Sequence, residues 1–269
     1  MTERPGLLKG LFALKVVNRE GLFSAYVYQD GARVEIIVDN YIPCLEDAPV
    51  FSHSETNELW VMILEKIWAK MVGSYEAMVE GSVHEALRDL LGAPSYEYNI
   101  EMGEAASRVL EILKTGHQKK YLMAAGATTE DSEACENQKA IGLNPLYSFA
   151  VLGVFTVKKD DKEVDLIHLR NPWGKLEWTG DWSETSECWT AAIKRHVGWK
   201  DPKEGGNFWM NYEDFVKHFS RLSVCKYDKW YKFSSCFGES REINDFNQTD
   251  YHLFKLDIPY AGEHTLAIS

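Results

Sequence analysis

The sequence lacks the cysteine patterns that build disulfide frameworks or zinc sites. Its cysteines are five, an odd number, and no two of them are separated by only two residues. Such wide spacing is typical of reduced thiols in a cytosolic protein rather than of a small secreted scaffold or a metal module. The five are Cys44, Cys135, Cys188, Cys225 and Cys236. We therefore expect free thiols and a cytoplasmic location.

Two further absences exclude broad classes of partner. No apolar run approaches the roughly 20 residues that a transmembrane helix needs. There is no basic surplus either, because 29 Lys and Arg stand against 41 Asp and Glu, a formal net charge of −12. Nucleic acids and anionic membranes both attract basic surfaces. We therefore expect no nucleic-acid partner and no membrane span, and the acidity favours solubility.

The sequence does contain enough apolar and aromatic material for a sizeable core. Hydrophobic residues make up 45% of the chain and aromatic residues 13%, which argues against disorder. A length of 269 residues suits one large two-lobed unit together with part of another domain.

Local patterns predict helices early in the chain and mostly strands later. Residues 22–38 have the pattern of a β-hairpin, with Asp30-Gly31 as its turn. Apolar residues at helical spacing predict a helix over 57–72 that ends before Gly73. Further helices are expected over 83–91, from 103 to 114 with Gly116 as the stop, over 187–196, and over 211–219 with Asn211 as the cap. Strands are expected over 121–126, 147–157 and 164–170, with 159–162 as a turn, and a β-sandwich is expected to begin at 226.

Three blocks of this sequence resemble the calpain family of cysteine proteases. They occur in the family's order and at roughly its spacing, which is far more specific than a lone Asn-Pro-Trp-Gly. The blocks are Val34 to Asp39 followed by Pro43, Asn57 to Ala77, and Leu169 to Ser183 joined to Phe208-Trp209-Met210 and Asp214-Phe215.

The resemblance implies an α+β fold, a papain-like protease core with a helical lobe and an antiparallel β-rich lobe. A partial first lobe would cover residues 1–93, the second lobe 94–225, and the truncated start of a C2-like β-sandwich 226–269. The family's cysteine lies on a helix upstream of the hairpin, further than the residues before it allow here. We therefore expect either that this helix was lost or that the chain is a fragment.

The resemblance also assigns catalytic positions. A thiol protease needs a cysteine nucleophile, a histidine base and a group that orients the histidine. Asn171 matches the orienting group. Counting back from Gly153 places Tyr147 where the family has its histidine, and no cysteine matches the nucleophile. Trp173 would cover the contact of Asn171 with Tyr147 or with the strand backbone, as part of the cleft.

No other residue replaces the missing base. A phenol loses its proton only near pH 10, whereas an imidazole titrates near pH 6.5. Histidine is absent between His117 and His168. His168 precedes Asn171 by three residues on one predicted strand, so alternation points the two side chains to opposite faces. The sequence therefore predicts that the catalytic set is incomplete.

The calcium positions of the family are also depleted. Calcium prefers six to eight oxygen ligands, several of them anionic. By resemblance, Glu65 matches a first-lobe carboxylate, and Glu177 and Glu184 fall at second-lobe positions. Gly205 and Asn207 stand where the family has acidic residues. We therefore expect no cofactor and at most weak calcium binding, with these glutamates as vestigial or salt-bridged carboxylates.

Three functions follow from this interpretation. The first is a non-catalytic pseudoprotease that acts as an interaction or scaffolding module in the cytoplasm or on the cytoskeleton. It would bind a protein or peptide partner, preferably basic, in the interlobe cleft or on an aromatic face near Trp178 and Trp182. The second is a fragment of a calcium-dependent cysteine endopeptidase whose cysteine lies outside this chain. The third is a subunit that pairs with an active homologue. Tyr147 separates the first two, because truncation at the N-terminus cannot explain it.

Overall fold

The described parts of the chain fall into two compact units. The computed structural model describes residues 4–14, 16, 19–54, 58–78, 81–100, 104–126, 132–145, 147–174, 178–199 and 206–229. The small unit contains the described residues within 6–78 and 89–94. The sheet unit contains those within 4–5, 81–88 and 95–229.

A β-hairpin forms half of the small unit. Strand β1, Phe23–Gln29, pairs antiparallel with β2, Ala32–Val38. The two turn residues, Asp30 and Gly31, both have positive φ, at 50° and 75°. Two successive positive φ angles match the right-handed twist of the flanking strands, which is why Asp-Gly favours such turns. The predicted hairpin is confirmed.

Helix α2, Trp60–Val72, forms the other half of the small unit and contacts both strands of the hairpin. Its buried residues, Ile63, Ile67 and Ala69, recur at helical spacing. The helix ends at Gly73, whose φ of 110° few other residues adopt, as predicted. Shorter elements complete this part of the chain: helix α1, Pro5–Leu11, strands β3, Cys44–Leu45, and β4, Ala48–Pro49, a 3-10 turn, Glu76–Met78, and helix α3, Val83–Leu91.

The sheet unit is built on six antiparallel strands. In space their order is β5-β10-β6-β7-β8-β9. The strands are β5, Ser95–Asn99, β6, Leu122–Gly126, β7, Ser148–Lys159, β8, Lys162–Arg170, β9, Asn207–Asn211, and β10, Arg221–Cys225. The predicted turn between β7 and β8 is confirmed, with positive φ at Asp160 and Asp161.

Two apolar clusters cover opposite faces of this sheet. Alternation along β9 shows the division, since Phe208 and Met210 belong to the main cluster and Trp209 to the second cluster. Helices α4, Glu104–Gln118, and α7, Tyr212–His218, contribute to the main cluster, and α6, Ala191–Val197, to the second. The remaining helix is α5, Ser132–Ala140. No helix within the described ranges is long and apolar enough to cross a membrane.

The predicted end of α4 at Gly116 is wrong. The helix continues through Gly116 to Gln118. A Cβ atom at Gly116 would lie only 2.4 Å from Sδ of Met123 on the neighbouring strand β6. The glycine therefore does not end the helix. It leaves room for the side chain of Met123 to pack closely against the helix.

The cap of α7 forms as predicted. Asn211 has an extended backbone, and its Oδ1 accepts a hydrogen bond from the N–H of Asp214 over 2.7 Å. The amide Nδ2 of Asn211 donates to Oδ2 of Asp214 over 2.9 Å. One of the N–H groups that lack a partner within the helix is thus satisfied by the side chain of Asn211.

We expect Asn211→Ala to lower the free energy of unfolding by about 1 kcal/mol, the usual cost of losing an N-cap acceptor. Asn211→Ser keeps an acceptor and should cost less than half as much. Thermal melts followed by circular dichroism would compare the two variants. Equal losses would show that the cap hydrogen bond contributes nothing to stability.

Candidate functional site

Asn171 is the buried centre of a tight turn at the end of β8. Its side chain is completely buried, and its Oδ1 accepts a hydrogen bond from the N–H of Trp173 over 3.0 Å. Its backbone N–H donates to the carbonyl of Gly206 over 2.9 Å, and its own carbonyl accepts from Gly174 over 3.2 Å. An Asn side chain that bonds the backbone two residues on is a common turn-forming device. The asparagine thus has a structural role in this turn.

Tyr147 lies beside this turn, just before β7. Its ring stacks on the indole of Trp173, with ring centroids 5.4 Å apart and planes 30° from parallel. Tyr147 packs partly against the main cluster, whereas Trp173 is 50% exposed. The pairing of β7 with β8, in which Ala150 faces Arg170, brings these two chain segments together. The structure therefore joins the three predicted positions, Asn171, Trp173 and Tyr147, in one place.

His168 belongs to a different environment. Its ring stacks on Trp209 with a centroid distance of 4.1 Å and planes only 1° from parallel. Trp209 is part of the second cluster, whereas Asn171 lies in the turn that follows β8. The imidazole is thus used as a packed aromatic ring.

The expected aromatic face near Trp178 and Trp182 is wrong. Both indoles are buried, at 5% and 3% exposure. Trp178 lies edge-on to His218 and donates its Nε1–H to the carbonyl of Asp181, while Trp182 meets Trp189 edge-on. Burial of aromatic rings against the sheet accounts for the difference. Within the described residues, Trp173 is the exposed tryptophan.

The most buried of the described thiols, Cys225, lies in an environment that does not activate it as a nucleophile. Thiolates, not thiols, attack carbonyl groups, and burial in apolar surroundings disfavours the thiolate. Burial raises the pKa of the Cys225 thiol to about 11, although a hydrogen bond with Ser95 acts in the opposite direction. Cys44 is exposed and Cys135 and Cys188 are half-buried. Cys236 lies outside the described residues.

The structure describes two of the three glutamates that were expected at calcium positions. Glu65 on α2 is half-buried, and its Oε1 accepts hydrogen bonds from the N–H and the hydroxyl of Ser52, over 3.2 and 2.6 Å. Glu184 is half-buried in the loop that precedes α6. Glu177 and Gly205 lie outside the described residues. Within the described chain, no three His, Cys, Asp or Glu side chains group closely enough to hold a metal ion.

Gly206 holds the Asn171 turn in place through a close approach that the sequence analysis does not predict. Its φ is 70°, and a Cβ atom there would lie 2.6 Å from the carbonyl oxygen of Asn171 and 2.9 Å from Cα of Gly174. Only glycine therefore allows the chain entering β9 to approach the Asn171 turn this closely. The double glycine before β9 is the available signal in the sequence, but the sequence analysis uses only Gly205 and Asn207, as positions without calcium ligands.

We expect Gly206→Ala to destabilise the protein much more than Gly198→Ala. Gly198 has a similar φ of 65° at the end of α6, but nothing lies within 4 Å of its missing Cβ. The control substitution should cost about 1–2 kcal/mol for the left-handed backbone alone. Gly206→Ala should cost about 1–3 kcal/mol more, because it also overpacks the Asn171 turn. Urea unfolding would measure both, and equal costs would mean that this approach is not a constraint.

Comparison with known proteins identifies the family. A family model described as calpain family cysteine protease matches residues 1–226. Calpain-9 of Rattus norvegicus is 32% identical over 209 residues, which is 76% of this chain and 30% of that protein. Calpain-8 of Rattus norvegicus is 35% identical over 210 residues, 76% of this chain and 29% of that protein.

The calpain-2 catalytic subunit of Mus musculus is 32% identical over 264 residues, 89% of this chain and 37% of that protein. The chain thus spans between 29% and 37% of the length of these three relatives. Because the family match extends over most of its 269 residues and carries the Asn171 turn within it, this chain belongs to the calpain family of cysteine proteases.

Proposed function

We propose that this chain is a non-catalytic calpain-family module that binds a protein or peptide partner without cleaving it. The observation that carries the proposal is the stack of Tyr147 on Trp173 beside the buried Asn171 turn. By resemblance to the family, Tyr147 stands at the position of the catalytic histidine. A phenol at that position leaves the orienting asparagine without an imidazole to hold.

The chemistry of hydrolysis supports this proposal. A thiol protease uses its histidine to remove the proton from cysteine and later to protonate the leaving amine. Loss of the base or of the nucleophile from a hydrolytic triad costs about 10⁶ in turnover, and the losses do not add. The oxyanion contacts and substrate binding that remain give little useful rate.

The geometry of the turn supports it further. The Oδ1 atom of Asn171 already accepts the N–H of Trp173, so the side chain has a use that needs no catalytic partner. Trp173 is half exposed on top of Tyr147, and such a rigid aromatic pair is typical of peptide-binding surfaces. With a net charge of −12, the chain as a whole favours a basic partner.

We also propose an architecture and a cellular location for this chain. We place a papain-like first lobe up to residue 93, a second lobe up to 225 and a C2-like segment from 226 onward. We assign the module to the cytoplasm, with scaffolding on the cytoskeleton as its role. Family membership and the free thiols are what support this assignment.

Family membership favours a second candidate, a calcium-dependent cysteine endopeptidase. That candidate requires a cysteine carried outside the matched region, and it requires Tyr147 to be compatible with catalysis. The second requirement is harder to meet, because no histidine lies between His117 and His168 that could serve as the base in place of Tyr147.

We expect no endopeptidase activity from this chain, with or without millimolar calcium, because Tyr147 stands at the position of the base and no cysteine of the sequence matches the nucleophile. Cleavage of casein and of fluorogenic peptides would be measured against an active calpain as the positive control. Turnover that purifies with the chain and is abolished by a thiol alkylator would favour the endopeptidase candidate and exclude the non-catalytic one.

The matched variant for this measurement is Tyr147→His. It places an imidazole beside Trp173 and should leave the fold intact, at a cost of about 1–2 kcal/mol. The new histidine should titrate by NMR, and cleavage should still be absent. If the variant cleaves substrate, one of the chain's own thiols reaches the imidazole, and the non-catalytic proposal fails.

We also propose that calcium binds weakly at best in the second lobe. Gly205 and Asn207 supply no anionic oxygen at positions where the family has carboxylates. Calorimetry should detect no site tighter than about 1 mM, the strength of the weakest protein calcium modules. Glu177→Gln is the matched variant, and a micromolar site that this substitution removes would contradict the expectation.

A further inference from the structure

A groove in the small unit lies outside the surface described so far. It runs between the hairpin and α2 and has a volume of about 510 Å³. Leu22, Ile37, Val38, Ala69 and Tyr75 form its apolar lining. A volume of this size is within the range of sites that hold a small ligand or a few side chains of a peptide.

Ile37 exposes apolar surface where the strand pattern predicts a polar residue. Along β2, Arg33, Glu35 and Ile37 share the exposed face, and Ile37 is 50% exposed. Leu22, which also lines the groove, is 43% exposed. Large apolar side chains that lie together at a surface often mark a binding site.

The rim of the groove is basic, in contrast to the chain as a whole. Lys66 binds the carboxylate of Asp39 and the carbonyl of Tyr41, and Lys70 donates to the carbonyl of Ile37 over 2.7 Å. The hydrogen bond from Lys66 keeps the pKa of Asp39 below its usual value, so that carboxylate stays ionised. Two ammonium groups therefore face one carboxylate at the rim.

Of the two lysines at the rim, Lys70 uses fewer of its donors within the described part of the chain. An ammonium group has three N–H donors, and the carbonyl of Ile37 uses one of them. Lys66, by contrast, is already neutralised by Asp39. An incoming carboxylate would therefore find its partner at Lys70, next to the exposed side chain of Ile37.

Tyr75 lines the same groove, and its ring stacks on Phe51 with a centroid distance of 4.8 Å. Its hydroxyl is buried and has no hydrogen-bond partner among the residues that the structure describes. Burial, with smaller contributions from Glu65 and Asp39, raises the pKa of Tyr75, so the hydroxyl keeps its proton and remains a donor. Because the hydroxyl is buried, a ligand in the groove would contact the ring of Tyr75 rather than this donor.

We propose that this groove binds a partner peptide in which an aliphatic side chain adjoins an acidic residue. The aliphatic side chain packs on Ile37 and Leu22, and the carboxylate pairs with Lys70. The site uses only residues of the small unit, so it does not depend on the function proposed for the Tyr147–Trp173 surface. It also reverses the preference for a basic partner that the net charge alone suggests.

Fluorescence anisotropy of the full chain with a labelled peptide of alternating leucine and glutamate tests the proposal. Saturable binding is expected, and a matched peptide with glutamine for glutamate should bind about tenfold more weakly, since the ion pair with Lys70 becomes a hydrogen bond to a neutral acceptor. Ile37→Ser and Lys70→Met should each weaken binding of the glutamate peptide about tenfold.

Two variants serve as matched controls. Leu45→Ser removes an exposed apolar side chain that does not line the groove, and Lys162→Met removes an exposed lysine of the β7–β8 turn. Both should leave the affinity unchanged. Because Ile37 is half exposed and Lys70 lies at the surface, their variants should keep the melting temperature of the unmodified chain.

Three results would overturn the proposal. The first is absence of saturable binding. The second is binding that Ile37→Ser and Lys70→Met leave unchanged. The third is sedimentation showing that the chain self-associates and that Ile37→Ser abolishes this, which would make a second copy of the chain the occupant of the groove.

Discussion

The pairing of β7 with β8 is the constraint on which the sheet unit depends. These are its two longest strands, and they sit between β6 and β9 in the sheet. The register shifts between Val151 and Gly153, so that one extra residue of β7 has no partner on β8. Such a bulge changes which side chains face which side of the sheet. Val151 and Val154 consequently both belong to the main cluster, although simple alternation would separate them.

This register also determines the candidate site. Ala150 faces Arg170, so the segment that precedes β7 lies next to the turn that follows β8. Tyr147 and Trp173 can stack because β7 begins close to the point at which β8 ends. A slip of the pairing by one residue would turn the side chains of the slipped strand to the opposite face of the sheet, and its core side chains would leave both apolar clusters.

Sequence alone predicts a structural feature when the residues that form the feature are neighbours in the chain. The hairpin turns at Asp30-Gly31 and Asp160-Asp161 and the cap at Asn211 were predictable, because the residues concerned make their own turn or cap. Gly116 was not, because its neighbour Met123 comes from another element. Strand β5 and helix α5 were missed, since their sequences, SYEYN and SEACENQKA, contain few aliphatic residues and no clear periodicity. In the site, resemblance alone gave Asn171, Trp173 and Tyr147, whereas the close approach of Gly206 depends on tertiary packing.

The contacts of Asn171 have a consequence for how family signatures are interpreted. Its N–H, its carbonyl and its Oδ1 all bind backbone groups of the turn and of the chain that enters β9. Replacing Asn171 would remove the Oδ1 contact and leave the N–H of Trp173 without its acceptor, whatever chemistry occurs beside it. The stability of the turn is therefore sufficient to favour asparagine at 171 and glycine at 174, where φ is 63°. A signature of this kind measures inheritance of a fold, and it can outlast the reaction for which the fold first evolved.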